Sequence, residues 1–317
     1  MPVSGRRRFV RVPASSGNLG PGYDVLGAAL SLELELEVVE EGSYSFDTGG
    51  LDVSSGRDNL LVRAFERLHP ADDIGFRMSS DIPLSRGLGS SAAAIVAGLL
   101  AADHLYELGN SRERLYAHAC EIEGHPDNAA AALFGGIAVC APPGAPARET
   151  PPDPIELGLG GGAAPSSEPM PALLAPPEGL EAILVIPDEK VPTAETRATM
   201  PAEIPVADAV HNVSAASHLV LGIERSDLTL IERGLSDRVH QPRRRPLYSR
   251  SMEVVDAARE LGAIGATISG AGPAVLVWSF WQSGAKVVEG LEGLCAGWAE
   301  VRRIPFSPRG ARVELLG

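Results

Sequence analysis

Apolar and polar residues alternate most sharply in LSLELELEVVE, residues 30–40, where every second position from Leu30 to Val38 is apolar. A period of two predicts a strand with one acidic, wet face. The period then changes. NLLVRAFERLH (59–69) has helical spacing, with Asp58 as its candidate cap. Ser90 to Leu108 predicts a long helix, with Gly109 just past its end. SRERLYAHACEIEG (111–124) predicts the next helix, closed by Gly124. FGGIAVCAPPG reads as a short strand that runs into prolines, and LEAILVIP (180–187) as an apolar strand. Helices are expected over 208–223, 226–235 and 249–261. GATISGAGPAVLVW (265–278) reads as strand, glycine turn, strand, and the tail ARVELLG as a last strand. Between 141 and 179 Pro, Gly, Ala and Ser dominate, which predicts a long loop or insert without a core of its own. Strands and helices mix without a strict βαβ rhythm. The fold class is therefore α+β in two parts, with a boundary placed at 175/176.

Composition narrows the setting. A chain of 317 residues suits one large or two ordinary domains and buries roughly 75% of its unfolded surface, so its core needs no staple. Acidic residues outnumber basic ones, 41 to 27, for a net charge of −14. That argues against non-specific nucleic-acid binding, which runs on clustered Lys and Arg. Cys120, Cys140 and Cys295 are scattered and form no CxxC pair, which fits a reducing compartment. The start, MPVSGRRRFV, has charge but no apolar stretch behind it, and no apolar run approaches the ~20 residues of a membrane span. A cytosolic protein is expected.

Five stretches carry candidate chemistry. In PLSRGLGSSAA (83–93), Gly87 and Gly89 let a ligand approach bare backbone, and Ser90 and Ser91 open a helix. The free N–H groups and dipole of a helix start suit a phosphate. No lysine follows the glycines, so this is not a P-loop. A glycine turn before a capped helix would look the same. In EIEGHPDN (121–128), Glu121, Glu123, His125, Asp127 and Asn128 crowd a helix end; carboxylates there suit Mg²⁺, or merely a solvated acidic end. In VPASSGNLGPGYDVLG (12–27), Asn18 and Asp24 are the polar groups expected to face a cleft. Arg197 in IPDEKVPTAETR and Arg243, Arg244 and Arg245 in HQPRRRPL offer forks for a carboxylate or phosphate, though three adjacent arginines cannot all be ligands. SGAGP (269–273) is a second glycine loop that could support the first or close over a ligand.

Taken in order, PASSGNLGPGYD, PLSRGLGSSAA and TISGAGPA resemble the three motifs of the GHMP kinase superfamily along almost the whole chain. EGHPDNAAAALFGG, IPDEKVPTAETR and QPRRRPL are similar to its homoserine kinase branch. The resemblance implies an N-terminal nucleotide-loop domain (1–175) and a ferredoxin-like C-terminal domain (176–317) with a cleft between. It implies ATP-dependent phosphorylation of the hydroxyl of L-homoserine in threonine biosynthesis, with ATP and Mg²⁺, in a homodimer without nucleic-acid or membrane partners. By position, Pro83, Leu84, Ser85, Arg86, Gly87, Leu88, Gly89, Ser90, Ser91, Ala92 and Ala93 would cradle the phosphates, with Asn59 near the adenine. Ser90 or Ser91 and one of Glu121 and Glu123 would hold Mg²⁺, and Thr193 would orient a metal-bound water. Asn18, Asp24, His125, Asp127, Arg197 and Arg244 match the homoserine pocket. Arg197 and Arg244 would take the carboxylate of that zwitterion, Asp24 and Asp127 its ammonium, and Asn18 and His125 its hydroxyl. Asp127 also matches the base of some relatives. If it holds the ammonium, substrate-assisted transfer is the expected route, with Asp127, Asn18 and Arg197 as the catalytic set.

Overall fold

The protein is described here by a computed structural model covering residues 5–141 and 170–315. Its first sheet begins with two long antiparallel strands, β1 (Arg7–Gly17) and β2 (Leu26–Glu40). The alternation in β2 is realised: Leu32, Leu34, Leu36 and Val38 are buried. Its acidic face is less wet than the pattern suggests, because arginines on neighbouring strands meet it. Arg11 lies 2.8 Å from Glu35, Arg312 lies 2.7 Å from Glu33, and Arg7 pairs with Glu37. Each such pair keeps partial contact with solvent and contributes only ~0–1 kcal/mol. The ladder therefore sets register more than stability.

β3 (Ser45–Asp47) and β4 (Ile74–Ser80) extend the sheet beyond β2, with α1 (Leu60–Glu66) between them in sequence. The cap of α1 is Asn59 rather than Asp58: its side chain accepts the Leu61 N–H. α2 (Ser90–Leu105) is buried on nearly every side, which explains its small residues. At Gly98 a Cβ would come within 2.2 Å of the Leu61 carbonyl, so α1 lies directly on α2 there. The helix ends three residues earlier than its pattern predicts. Glu107 takes a left-handed conformation, and the buried Asp103 carboxylate turns to accept the Asn110 N–H. α3 (Arg112–Glu123) and α4 (Pro126–Phe134) follow, the first capped by Ser111 and closed by left-handed Gly124.

β5 (Ile137–Val139) pairs with β2. Of the expected 141–179 insert, residues 142–169 lie outside the described residues. Its described end is not all loop, because β6 (Ala172–Leu174) adds to β5 as a strand.

β7 (Leu180–Pro187) starts a second sheet. After it come α5 (Thr193–Ala198), α6 (Val206–Arg225), α7 (Leu228–Gly234), α8 (Gln241–Arg244), a 3₁₀ turn (Arg245–Leu247) and α9 (Ser249–Ala257). α7 starts two residues later than expected, since Ser226 closes α6 in the left-handed region and Asp227 caps α7. α9 stops at Ala257 rather than Leu261. β8 (Gly265–Ile268), β9 (Val275–Phe280), α10 (Gly284–Cys295) and β10 (Ala299–Ile304) complete the unit. The antiparallel order β10-β7-β9-β8 is that of a ferredoxin-like unit. β11 (Arg312–Leu315) then leaves it and pairs with β1. Phe306 also bridges to Leu30. The span 176–317 is thus not one closed unit: its last residues belong to the first sheet. The larger core runs through both parts, from Phe65 and Phe76 to Leu219, Leu276 and Trp278, and a second cluster around Ile183, Val277, Met252 and Leu291 lies within the second part.

Candidate active site

Three loops meet where the two parts join. The first follows β1, the second precedes α2, and the third links β8 to β9. The Ser15 N–H donates to the Leu88 carbonyl, the Gly270 N–H to Gly17, and the Ala274 N–H to Arg86. The Ser269 hydroxyl lies 2.8 Å from that of Ser16 and 2.7 Å from the Gly87 carbonyl. The packing tolerates no side chain at the two loop glycines. A Cβ on Gly87 would stand 2.1 Å from the Ser269 carbonyl, and one on Gly89 2.0 Å from the Ser15 hydroxyl. Both have positive φ, +77° and +69°. Gly89 begins α2 and no side chain caps it, so the amide-rich end of a deeply buried helix opens into the space beside the loops.

That space is a cleft of about 400 Å³. It collects thirteen of the residues expected from sequence: Asn18, Asp24, Ser85, Gly87, Gly89, Ser90, Ser91, Glu123, His125, Asp127, Thr193, Arg197 and Arg244. Pro83, Leu84, Arg86, Leu88, Ala92 and Ala93 frame the loop without lining the cleft. The Arg86 guanidinium donates to the carbonyls of Pro187 and Asp188, at 2.6 and 2.9 Å, and so straps the loop to the end of β7. Asn59 is engaged as the cap of α1 and also donates to the Ser54 carbonyl; its neighbour Leu60 lines the cleft instead. Glu121 points away, exposed and paired with Arg67 at 2.6 Å. Glu123 is the glutamate in the cleft, and the Ser91 hydroxyl donates to it.

Next to Glu123 the site becomes strongly charged. His125 Nδ1 lies 2.9 Å from Asp127 and Nε2 lies 3.6 Å from Glu123. Burial alone would lower the His125 pKa, but the hydrogen bond and charge of Asp127, with Glu123 behind it, raise it on balance. Burial raises the Glu123 pKa. Asp127 is almost wholly enclosed. It accepts from the backbone N–H of Asn18 at 3.0 Å and of Asn128 at 2.8 Å, so with His125 three protein groups hold it. Gly17 permits this packing, since a Cβ there would stand 2.4 Å from the Asp127 carboxylate.

Asn18 sits at φ +67°, and both ends of its amide bridge loops: the N–H₂ donates to the Gly270 carbonyl at 2.7 Å, and the oxygen accepts the Asp24 N–H at 3.0 Å. Asp24 receives Arg197 in a two-point fork, at 2.7 and 3.1 Å. Arg244 is different. It is 1% exposed, and no carboxylate lies within ion-pairing distance among the described residues. Its Nη1 donates to the Gly270 carbonyl at 3.1 Å, and its Nε has no partner. Arg197 and Arg244 both lie near the face of Tyr23, at 5.7 and 5.5 Å. The three cysteine thiols contribute no nucleophile: burial pushes Cys120 and Cys140 up to about 12 and Cys295 up to about 11.

Sequence reasoning did not assign Asn128, Leu60, Ile122, Gly270 or Ala271, which also line the cleft. Asn128 had a signal, since it lies within the crowded 121–128 stretch and accepts the Ser15 hydroxyl at 3.0 Å. Leu60 and Ile122 had none, because an apolar residue on a helix reads as core.

The GHMP kinases N terminal domain matches residues 59–136, and the GHMP kinases C terminal domain matches 219–299. A homoserine kinase of Prochlorococcus marinus (strain MIT 9215) is 34% identical over 319 residues, covering 96% of this chain and 94% of the relative. One of Synechococcus sp. (strain RCC307) is 36% identical, covering 92% and 90%. Among solved structures, a Listeria monocytogenes protein assigned as a homoserine kinase superposes with a TM-score of 0.76 at 30% identity, covering 98% of this chain and all of that one. The homoserine kinase of Cytophaga hutchinsonii, at 24% identity and a TM-score of 0.79 over 99% of both chains, shows the same fold.

Proposed function

Because this chain belongs to the homoserine kinases of the GHMP kinase family, we propose that it transfers the γ-phosphoryl group of ATP to the hydroxyl of L-homoserine, giving O-phospho-L-homoserine on the route to threonine. One observation carries the substrate assignment. A buried guanidinium without a carboxylate partner, Arg244, opens on the same cleft as the carboxylates of Asp24 and Asp127. A substrate with a carboxylate and an ammonium group matches that charge pattern; a neutral sugar or alcohol does not need it.

The glycine loop and the open end of α2 offer backbone N–H groups to the ATP phosphates, and the lack of room for any Cβ at Gly87 and Gly89 keeps that backbone bare. Asp24 and Arg197 already pair with each other. A zwitterion can enter by exchange, its ammonium taking Asp24 and its carboxylate taking Arg197 and Arg244, with no charge left unpaired. Asp127 is held by three protein groups, so it serves to position rather than to take a proton. The hydroxyl proton then passes to the phosphoryl group itself as the bond forms, consistent with a loose transition state that needs alignment more than a base. Asn18 contributes by fixing the loop that carries Asp24.

Glu123 with Ser91 and Ser90 forms an all-oxygen donor set beside the phosphate loop, which fits Mg²⁺; Thr193 lines the same cleft and could hold a metal-bound water. When bound there, Mg²⁺ would supply charge neutralisation at the phosphates. Asp24, His125 and Asp127 also lie close enough to hold a cation, but the ammonium of the substrate accounts for their charge.

We also assign the protein to the cytosol, on the support of three free, scattered cysteines, which suit a reducing compartment. We further propose a homodimer; the exposed apolar face of α6 formed by Val206, Val210, Val213 and Leu221 supports it. The decisive assay is coupled ATP consumption with a panel of small hydroxy compounds. Turnover with L-homoserine is expected, and ATP consumption with a neutral alcohol but not with homoserine would overturn the assignment.

A further inference from the structure

A buried histidine that does not line the cleft contacts Arg244. His240 immediately precedes α8 and is completely buried. Its Nε2 stands 2.7 Å from the Gly20 carbonyl. A carbonyl can only accept, so Nε2 carries the hydrogen. Burial lowers the pKa of this ring, against the opposing charge of Asp237. Asp237 Oδ2 also lies 3.5 Å from Nε2, on the side that carries the hydrogen, and this carboxylate accepts in addition the backbone N–H groups of Val239, His240 and Gln241 and the Asn212 amide. The remaining ring nitrogen, Nδ1, therefore has a free lone pair, and Arg244 Nη1 lies 3.2 Å from it. Arginine can only donate, so the polarity is settled. Nη1 is held by two acceptors, His240 Nδ1 and the Gly270 carbonyl, while Nε is left without a partner. The Tyr23 ring packs against both groups, its centroid 5.4 Å from that of His240 and 5.5 Å from the Arg244 guanidinium carbon.

We propose that neutral His240 is a positioning residue for substrate recognition: it grips Arg244 at Nη1 and so fixes the guanidinium in the wall of the cleft, where the substrate carboxylate would meet it. This deepens the functional reading above and rests on it. A ring protonated on both nitrogens would turn an N–H toward the guanidinium and lose the grip.

Two substitutions separate positioning from mere packing. His240→Gln keeps an amide near Nε2 for Gly20 but removes the acceptor at Nδ1. His240→Asn restores an oxygen near Nδ1. His240→Gln is expected to raise the KM for homoserine about tenfold, the scale of one charge-assisted hydrogen bond, with kcat and the KM for ATP within about twofold. His240→Asn should recover most of that affinity. In an Arg244→Ala background, His240→Gln should add less than about twofold, because the residue it acts through is gone. Equal losses in Gln and Asn, or full additivity with Arg244→Ala, would overturn the inference. Nitrogen NMR of the wild-type protein gives a test without any variant. The one exchange-protected histidine ring should be neutral with its proton on Nε2, and a protonated ring or the Nδ1–H form would also overturn it. Wild-type protein that turns over no homoserine overturns the functional reading and this inference together; wild-type turnover with the wrong variant pattern overturns the inference alone.

Discussion

The two ends of the cleft are built from different materials. The end proposed for the phosphates is backbone: two glycines, an uncapped helix start, and loops joined by N–H to carbonyl bonds. The other end is side chain: Asp24, Asp127, His125, Arg197 and Arg244, brought from four distant parts of the sequence. A backbone site recognises what all nucleotide phosphates share, and it fails by steric intrusion. A side-chain site recognises one charge pattern, and it fails one contact at a time. The same scaffold could therefore change substrate by altering the second end while leaving the first untouched.

The sharpest way to break this contrast is Gly89→Val. It adds bulk where a Cβ already meets Ser15 at 2.0 Å, and it does so at a φ of +69°. Turnover should fall about 100-fold or more, on the scale of an ångström of misplacement. Gly109→Ala is the control: it has a similar φ, +71°, but nothing within 4 Å, so full activity is expected. Next come the arginines. Arg197→Ala or Arg244→Ala should raise the KM for homoserine at least tenfold, about 1.5–3 kcal/mol per charged contact, with the KM for ATP unchanged. Unchanged homoserine kinetics in both would discard the pocket. Asp127→Asn should weaken homoserine binding several-fold more than it lowers kcat; a collapse of kcat at constant KM would make Asp127 the base. Glu123→Gln should raise the Mg²⁺ concentration for half-maximal activity, whereas Glu121→Gln, which alters an exposed ion pair, should leave it unchanged. The smallest effect concerns pH. The His240 pKa is depressed on folding, so its contribution to stability is present above the unfolded value of about 6.5 and is lost as pH falls through the folded value. Between pH 7 and pH 5 the wild-type Tm should fall further than that of His240→Gln.

The same contrast explains what could be read from sequence. The glycine loop and the helix it feeds were legible because their determinants are contiguous: glycines, serines and small alanines within eleven residues. Most strands were legible for the same local reason, and β2 shows it best. The charged residues were individually visible, but their partners were not. Nothing in the spacing says that Arg197 grips Asp24, or that Arg86, though in the loop, faces the end of β7 instead of a phosphate. Glu121 and Glu123 differ by two positions on a helix, so one faces the cleft and the other solvent. That choice needed the orientation of α3 against α2, which composition does not encode. The early end of α2 likewise depends on Asp103 reaching Asn110, a contact that helical periodicity cannot report.

The pairing of β11 with β1 has a consequence for how the protein is made. The first part of the chain cannot finish its own sheet by itself, because the strand that covers the outer edge of β1 follows every other described strand in the sequence and is synthesised after them. Until then β1 presents an open edge, a template for other chains. Its arginines, exposed Arg7 and half-buried Arg11, are the charges that discourage such pairing in the interval. A nascent chain stalled before residue 312 should therefore be the aggregation-prone species, even with its catalytic loops already synthesised.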